Sequence, residues 1–218
     1  LHWIREERAI GTVKGLTPAE VNRTKVRELS CYKAVDEVWT VTHKDREVLL
    51  DEIKGLSVRV VSNVHHNLPL KPWDSTSKTI IYLGSYAHFP NLKAAEYLAC
   101  SIFPEILIHH PDATLILAGA DPPKDIKNLA VQDKIFVTGQ LEDHELNALY
   151  QSASITIVPL FSGSGIKGKI CEAIAHGIPV ITNDIGNEGI DLIHEKEALI
   201  LPVSQMAKGA IALLDGLY

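Results

Sequence analysis

From residue 78 onward the chain repeats one pattern: a short run of apolar residues, a glycine or polar turn, then a longer stretch with apolar positions three and four apart. Thr79–Leu83, Ala113–Ala118, Lys134–Val137, Ser154–Val158, Pro179–Thr182 and Glu197–Leu201 are predicted as strands. Most are apolar throughout rather than alternating, so both faces are expected to be covered. Between them, Leu92 to His109 carries Ala95, Leu98, Ala99, Ile102 and Ile106 on one helical face, with Asn91 as its expected cap. Asp143–Ser152, Ile166–His176 and Ser204–Leu214 follow as helices. Strands alternating with helices predict an open α/β domain with a parallel sheet, its ligand beyond the carboxyl ends of the strands.

The first sixty residues read differently. They are charged and helix-friendly, with one strand-like run at Glu37–Thr42, a helix over Asp45–Ile53 capped at or near Thr42, and a short β-branched strand at Val58–Val61. Residues 62–77 hold Asn63, Pro69, Pro72 and several Ser and Thr with no apolar period, which marks a linker. The expected division is therefore 1–61, a linker at 62–77, and 78–218.

Composition narrows the function. The net charge of −6 over 218 residues, with no long basic run, argues against a nucleic-acid partner. No apolar stretch approaches the ~20 residues of a membrane span. The first residues lack the basic-then-apolar design of a signal peptide and do not begin with Met, so a piece of a longer protein is expected. Cys31, Cys100 and Cys171 are far apart and odd in number, which suits a reducing cytoplasm and offers no metal cluster. No His, Asp, Glu and Cys grouping has metal-ligand spacing, so no metal or other cofactor is expected.

The chemistry should lie at the strand ends. Gly84 and Gly119 each close a strand, and Gly139 follows one after a spacer; a glycine there serves either steric fit or backbone approach to a ligand. The loop Ser162-Gly163-Ser164-Gly165-Ile166 sits between a buried strand and a helix, so its amides point from a helix N-terminus, a setting for phosphate. Lys167 and Lys169 follow within the first turn, where cations oppose the helix dipole unless an anion is bound. The loop lacks the Gly-Lys-Ser/Thr ending of an ATPase loop, and no Gly-x-Gly-x-x-Gly follows the first strand. Glu172, among Cys171, Ala173 and Ile174, is either a surface glutamate or an acceptor for vicinal hydroxyls; its small apolar neighbours favour the acceptor.

The run from Gly163 to Thr182 resembles the donor-binding signature of group 1 (family 4) retaining glycosyltransferases. Ile81-Tyr82-Leu83-Gly84-Ser85, Leu117–Ala120, Val137–Leu141, Tyr150–Ser154 and Gly186–Ile190 extend the likeness in the right order. The resemblance implies the C-terminal, Rossmann-like half of a GT-B fold, and a sugar moved from a nucleotide diphosphate to a hydroxyl acceptor. Glu172 matches the second acid of the family's paired-acid motif, which holds the donor ribose; the first acid falls at Ser164 and is missing. Ser85 stands where an Arg often follows Gly84, so Lys167 and Lys169 are expected to supply charge to the phosphates. Gly139-Gln140-Leu141 matches the stretch whose backbone holds the nucleobase, and Gly165 and Ile166 belong to the phosphate loop.

The resemblance further implies that residues 1–59 end an acceptor-side domain that is mostly absent. The partners expected are a nucleotide-sugar donor and a glycan or lipid-linked acceptor. The work would be cytoplasmic, at or near the inner face of the membrane in the full-length protein. Trp3, Val38, Trp39 and Leu50, short of partners, would pack on the C-terminal domain or on a second copy, so self-association is an expectation. His65 and His66 in the linker are expected to face solvent. Alternatives are a nucleotide-sugar epimerase of the same fold and a binding module that has lost activity.

Overall fold

The computed structural model describes residues 1–10, 16–63, 76–163 and 165–217, arranged as two compact units. Most of the expected linker, with His65 and His66, lies outside the described residues, as does Ser164.

The first unit is Leu1–Val64 together with Ser162–Ile166 and Glu188–Ile190. Its helices α1 (His2–Ala9) and α2 (Pro18–Tyr32) pack on each other. Thr17 and Glu20 form a reciprocal capping box at the start of α2, with Pro18 preset for the first turn. Strands β1 (Val38–Thr40) and β2 (Val58–Val60) pair in parallel, Val38 opposite Val58. Between them α3 spans His43–Glu52, and the Thr42 hydroxyl accepts from the Asp45 amide at 2.9 Å, the cap expected there. Trp3 and Val38 are buried, Trp39 is 66% exposed, and Leu49 rather than Leu50 is the fully buried residue of α3.

The second unit holds a six-stranded sheet of order β5-β4-β3-β6-β7-β8. The strands are β3 (Thr79–Leu83), β4 (Thr114–Ala118), β5 (Ile135–Val137), β6 (Ile155–Val158), β7 (Val180–Thr182) and β8 (Leu199–Ile200). Every pairing is parallel, as the wholly apolar runs predict. Ile80, Ile81 and Tyr82 of β3 and all four residues of β6 are buried, because helices cover both faces. The chain builds outward from β3 through β4 to β5, then returns to the other side of β3 with β6. Strand order therefore reverses between β3 and β6, where an open α/β sheet has its crevice.

Several helix boundaries differ from expectation. The single helix over Leu92–His109 is three pieces: α4 (Phe89–Tyr97), a π turn at Leu98–Ile102, and α5 (Phe103–His109). Pro104 explains the break, because it has no amide to donate and its ring crowds the preceding turn. Asn91 is not the cap: His88 occupies that place, and Pro90 in the first turn sets the start earlier. Helices α6 (Lys124–Lys127), α7 (Asp143–Ser152), α8 (Gly168–Ala175), α9 (Asp184–Asn187) and α10 (Met206–Leu214) complete the unit. α8 begins at Gly168, two residues after the expected Ile166, with Lys167 as its cap residue. β8 keeps only two residues of the run Glu197–Leu201.

Phe103 is fully buried and Ile108, on the same helix, is 76% exposed. Phe103→Ala is expected to destabilise the second unit by about 3–5 kcal/mol and Ile108→Ala by less than about 0.5 kcal/mol, read by denaturant unfolding. Equal losses would mean that α5 does not bury the face described.

Candidate functional site

Because all six strands run the same way, all their carboxyl ends open on one edge of the sheet. Gly84 and Ser85 leave β3 there, Gly119 leaves β4, and Gly139, Gln140 and Leu141 follow β5. The exits of β3 and β4 run together: the Gly84 amide donates to the Ala118 carbonyl at 3.0 Å. A Cβ on Gly119 would come 1.9 Å from the Gly84 carbonyl oxygen, so only glycine allows this approach.

β6 leads to α8 on the other side of the reversal. Lys167, only 9% exposed, is the cap residue at the helix start, and its side chain does not cap the first amides. The Lys169 amine turns back toward the exit of β3. It donates to Asn91 Oδ1 at 2.6 Å and to the Tyr82 hydroxyl at 3.1 Å, and lies 4.5 Å from the centre of the Tyr82 ring. Asn91 in turn donates through Nδ2 to the Ser85 carbonyl at 2.8 Å and accepts from Tyr82 at 3.2 Å. A Cβ on Gly84 would stand 2.9 Å from both the Lys169 nitrogen and Asn91 Cγ. Glycine is thus required for the amine to lie against the strand exit.

Burial pulls the Lys169 amine from its ordinary 10.5 down to about 7, and the neighbouring Lys167 cation adds to the shift. Burial pushes the Tyr82 phenol well up, with Tyr86 contributing. Tyr86 is 3% exposed, its phenol is pushed up to about 12 by burial, and its hydroxyl has no hydrogen-bond partner among the described residues.

One turn along α8, Glu172 is half-buried and accepts from the Tyr150 hydroxyl of α7 at 3.1 Å. The His176 ring stacks on Tyr150 with centroids 4.2 Å apart. Burial holds the His176 imidazole below its ordinary value against the pull of Glu172. Burial, then Glu172, raises the Tyr150 phenol.

The structure thus brings Gly84, Ser85 and Lys169 together through Asn91, and joins Glu172 to Tyr150 and His176. Gly139 and Gln140 are exposed and Leu141 is half-buried after β5, with no described contact to the lysines or Glu172. Gly165, at a φ of 73°, and Ile166 group with the first unit. Sequence reasoning does not single out Tyr82, Asn91 and Tyr150 as site residues. Pro90 is the available signal for Asn91, since a proline in the first turn moves Asn91 off the cap and into the helix. Among the described residues no group of three or more His, Cys, Asp and Glu could hold a metal ion, and no helix is long and apolar enough to cross a membrane.

Comparison with known proteins gives these residues a context. The family model described as "Glycosyl transferases group 1" matches residues 77–216. An uncharacterized 44.6 kDa protein in the cps region of Klebsiella pneumoniae is 24% identical over 155 residues, covering 68% of this chain and 40% of that protein. The crystal structure of a mutant of S. aureus TarM, in complex with Fondaparinux, alpha-GlcNAc-glycerol and UDP, matches with a TM-score of 0.72 at 14% identity. The match covers 88% of this chain and 40% of that one. The pneumococcal O-GlcNAc transferase GtfA, in complex with UDP and GlcNAc, matches with a TM-score of 0.64 at 20% identity, covering 88% and 40%. The chain spans about two fifths of the length of these proteins.

Lys169 makes stability depend on pH. Its folded value lies below its unfolded one, so between about 7 and 10.5 the unfolded chain binds more protons and stability rises with pH. Lys169→Met is expected to flatten this rise, read as denaturation midpoints across that window. An unchanged slope would show that the amine is not buried as described.

Proposed function

The chain belongs to the group 1 glycosyl transferases, and from that premise we propose that its second unit holds a nucleoside-diphosphate sugar whose sugar the whole protein transfers to a hydroxyl acceptor. The observation that carries this reading is the placement of Lys167, Lys169 and the start of α8 at the reversal between β3 and β6. Helix-end amides and two lysine amines two residues apart form a receptor for a doubly charged diphosphate. The TarM and GtfA structures are complexes with UDP, which supports a nucleoside-diphosphate ligand for this chain too.

Binding would begin with the diphosphate at the amides of α8 and the two amines. The ribose hydroxyls would donate to Glu172, one of whose oxygens is already engaged by Tyr150. The base would lie toward Gly139-Gln140-Leu141. As the bond from sugar to diphosphate breaks, charge grows on the departing phosphate, and Lys167 and the helix end stabilise that charge more than they stabilise the intact donor. Residues 1–61 would end the acceptor-side domain and 78–218 would form the donor-binding domain. The acceptor would be a glycan or a lipid-linked hydroxyl in polysaccharide or glycoconjugate synthesis on the cytoplasmic side, and self-association through the first unit would fit its exposed Trp39.

Lys167→Ala is expected to weaken UDP binding by about 1.5–3 kcal/mol, the worth of a charge-assisted contact, while leaving uridine binding nearly unchanged. Calorimetry with both ligands checks this, and equal losses would place Lys167 away from the phosphates. Glu172→Gln is expected to abolish the preference for UDP over its 2′,3′-dideoxy analogue. A mutant that kept the preference would remove Glu172 from the ribose.

A further inference from the structure

Lys169 occupies an unusual place for a cation. It lies in the first turn of α8, where the helix dipole opposes it, with Lys167 close enough to lower its proton affinity. No ion pair of Lys169 with a carboxylate is found among the described residues. Its partners are neutral: the Asn91 amide oxygen at 2.6 Å, the Tyr82 hydroxyl at 3.1 Å, and the Tyr82 ring face. Asn91 is itself fixed at both ends, by Tyr82 and by the Ser85 carbonyl. The carboxylates of the same elements are engaged elsewhere. Glu172 on α8 accepts from Tyr150, Glu96 on α4 pairs with Lys93 at 3.3 Å, and Tyr86, which bears on the Tyr82 phenol, is itself a buried phenol.

We propose that Asn91 and Tyr82 are positioning residues that hold the Lys169 amine beside Gly84 until a diphosphate draws on it, so that donor capture takes up a proton from solvent. The inference rests on the donor-binding reading above and adds its regulation: the site is set to grip donor tightly near neutrality and to loosen as pH rises. The proton joins the lone pair of the Lys169 nitrogen; no other bond changes. A diphosphate at the exit of β3 supplies the negative charge that the neutral cradle lacks, and this stabilises the ammonium. The sign follows from linkage. The bound state has the higher proton affinity, so the gain in affinity is complete below the free-state value of about 7 and fades as pH climbs through the bound-state value. Within that window the affinity falls up to about tenfold per pH unit.

The test is calorimetric titration of this chain with UDP, and with GDP and ADP in turn, at about pH 8 in two buffers of different ionisation heat. The difference in heats counts protons. The wild type is expected to take up close to one proton and to bind about tenfold more weakly one pH unit higher. Asn91→Asp places a carboxylate against the amine, holding it charged before ligand arrives. Its proton uptake is expected to vanish and its affinity to lose most of its pH dependence. Tyr82→Phe removes one acceptor and keeps the ring, so the free amine holds a proton less readily and uptake is expected to stay close to one. A purely structural role for Asn91 would change affinity or stability and leave the proton count as in wild type. Nucleotide binding without proton uptake by the wild type, or unchanged uptake by Asn91→Asp, overturns this inference and leaves the donor reading standing. Absence of binding by any of the three nucleotides overturns the donor reading and this inference together.

Discussion

The reversal of strand order between β3 and β6 is the constraint from which the rest of the second unit follows. Both neighbours of β3 are parallel to it, so every connection must cross back and all strand exits share one edge. On one side of the reversal the chain leaves toward β4, on the other toward β7, and no connection bridges the gap. Whatever lies at that gap is set by two short segments, the glycine-closed exit of β3 and the start of α8. Gly119 lets the exit of β4 close against the Gly84 carbonyl, and Gly84 lets the Lys169 amine close against the exit of β3.

That arrangement costs stability. The half-buried Lys169 side chain turns its amine from water into a cradle of neutral oxygens beside a second lysine, at the helix end where the dipole repels it. The hydrogen bonds to Asn91 and Tyr82 and the ring contact offset part of the loss, but nothing described neutralises the charge. Local rules of this kind tend to be broken where a fold serves a ligand. The buried hydroxyl of Tyr86 at the same exit, without a partner among the described residues, is a second such breach.

The periodic pattern makes the sheet legible, because strands buried on both faces must be apolar throughout, and six runs stand out for that reason. Thr42 is legible as a cap since its hydroxyl acts on an amide three residues away. Prolines inside apolar periods are harder to read: Pro90 and Pro104 fall among residues whose spacing looks helical, and each moves a boundary. The site is legible only in part. Glycines at strand ends and lysines in a first turn are local features, and so stand out. Asn91 and Lys169 are 78 residues apart, and Tyr150 and Glu172 are 22 apart, so no spacing rule links them. The grouping of Ser162–Ile166 and Glu188–Ile190 with the first unit is equally long-range.

The long-range contacts also settle what α8 does with its own charges. Lys169 and Glu172 are three residues apart on one helix, a spacing at which opposite charges ordinarily pair. Among the described residues no ion pair joins them. Lys169 is drawn toward β3 and α4, while Glu172 is drawn toward α7 by the Tyr150 hydroxyl. Had the two paired, the amine would be neutralised by its own helix and the carboxylate would have little acceptor capacity left for a hydroxyl. Separate neighbours keep them apart, so the amine and the carboxylate of one eight-residue helix are held by different elements. His176, stacked on Tyr150, fixes the phenol that makes this separation, and through it the last turn of α8 bears on the first.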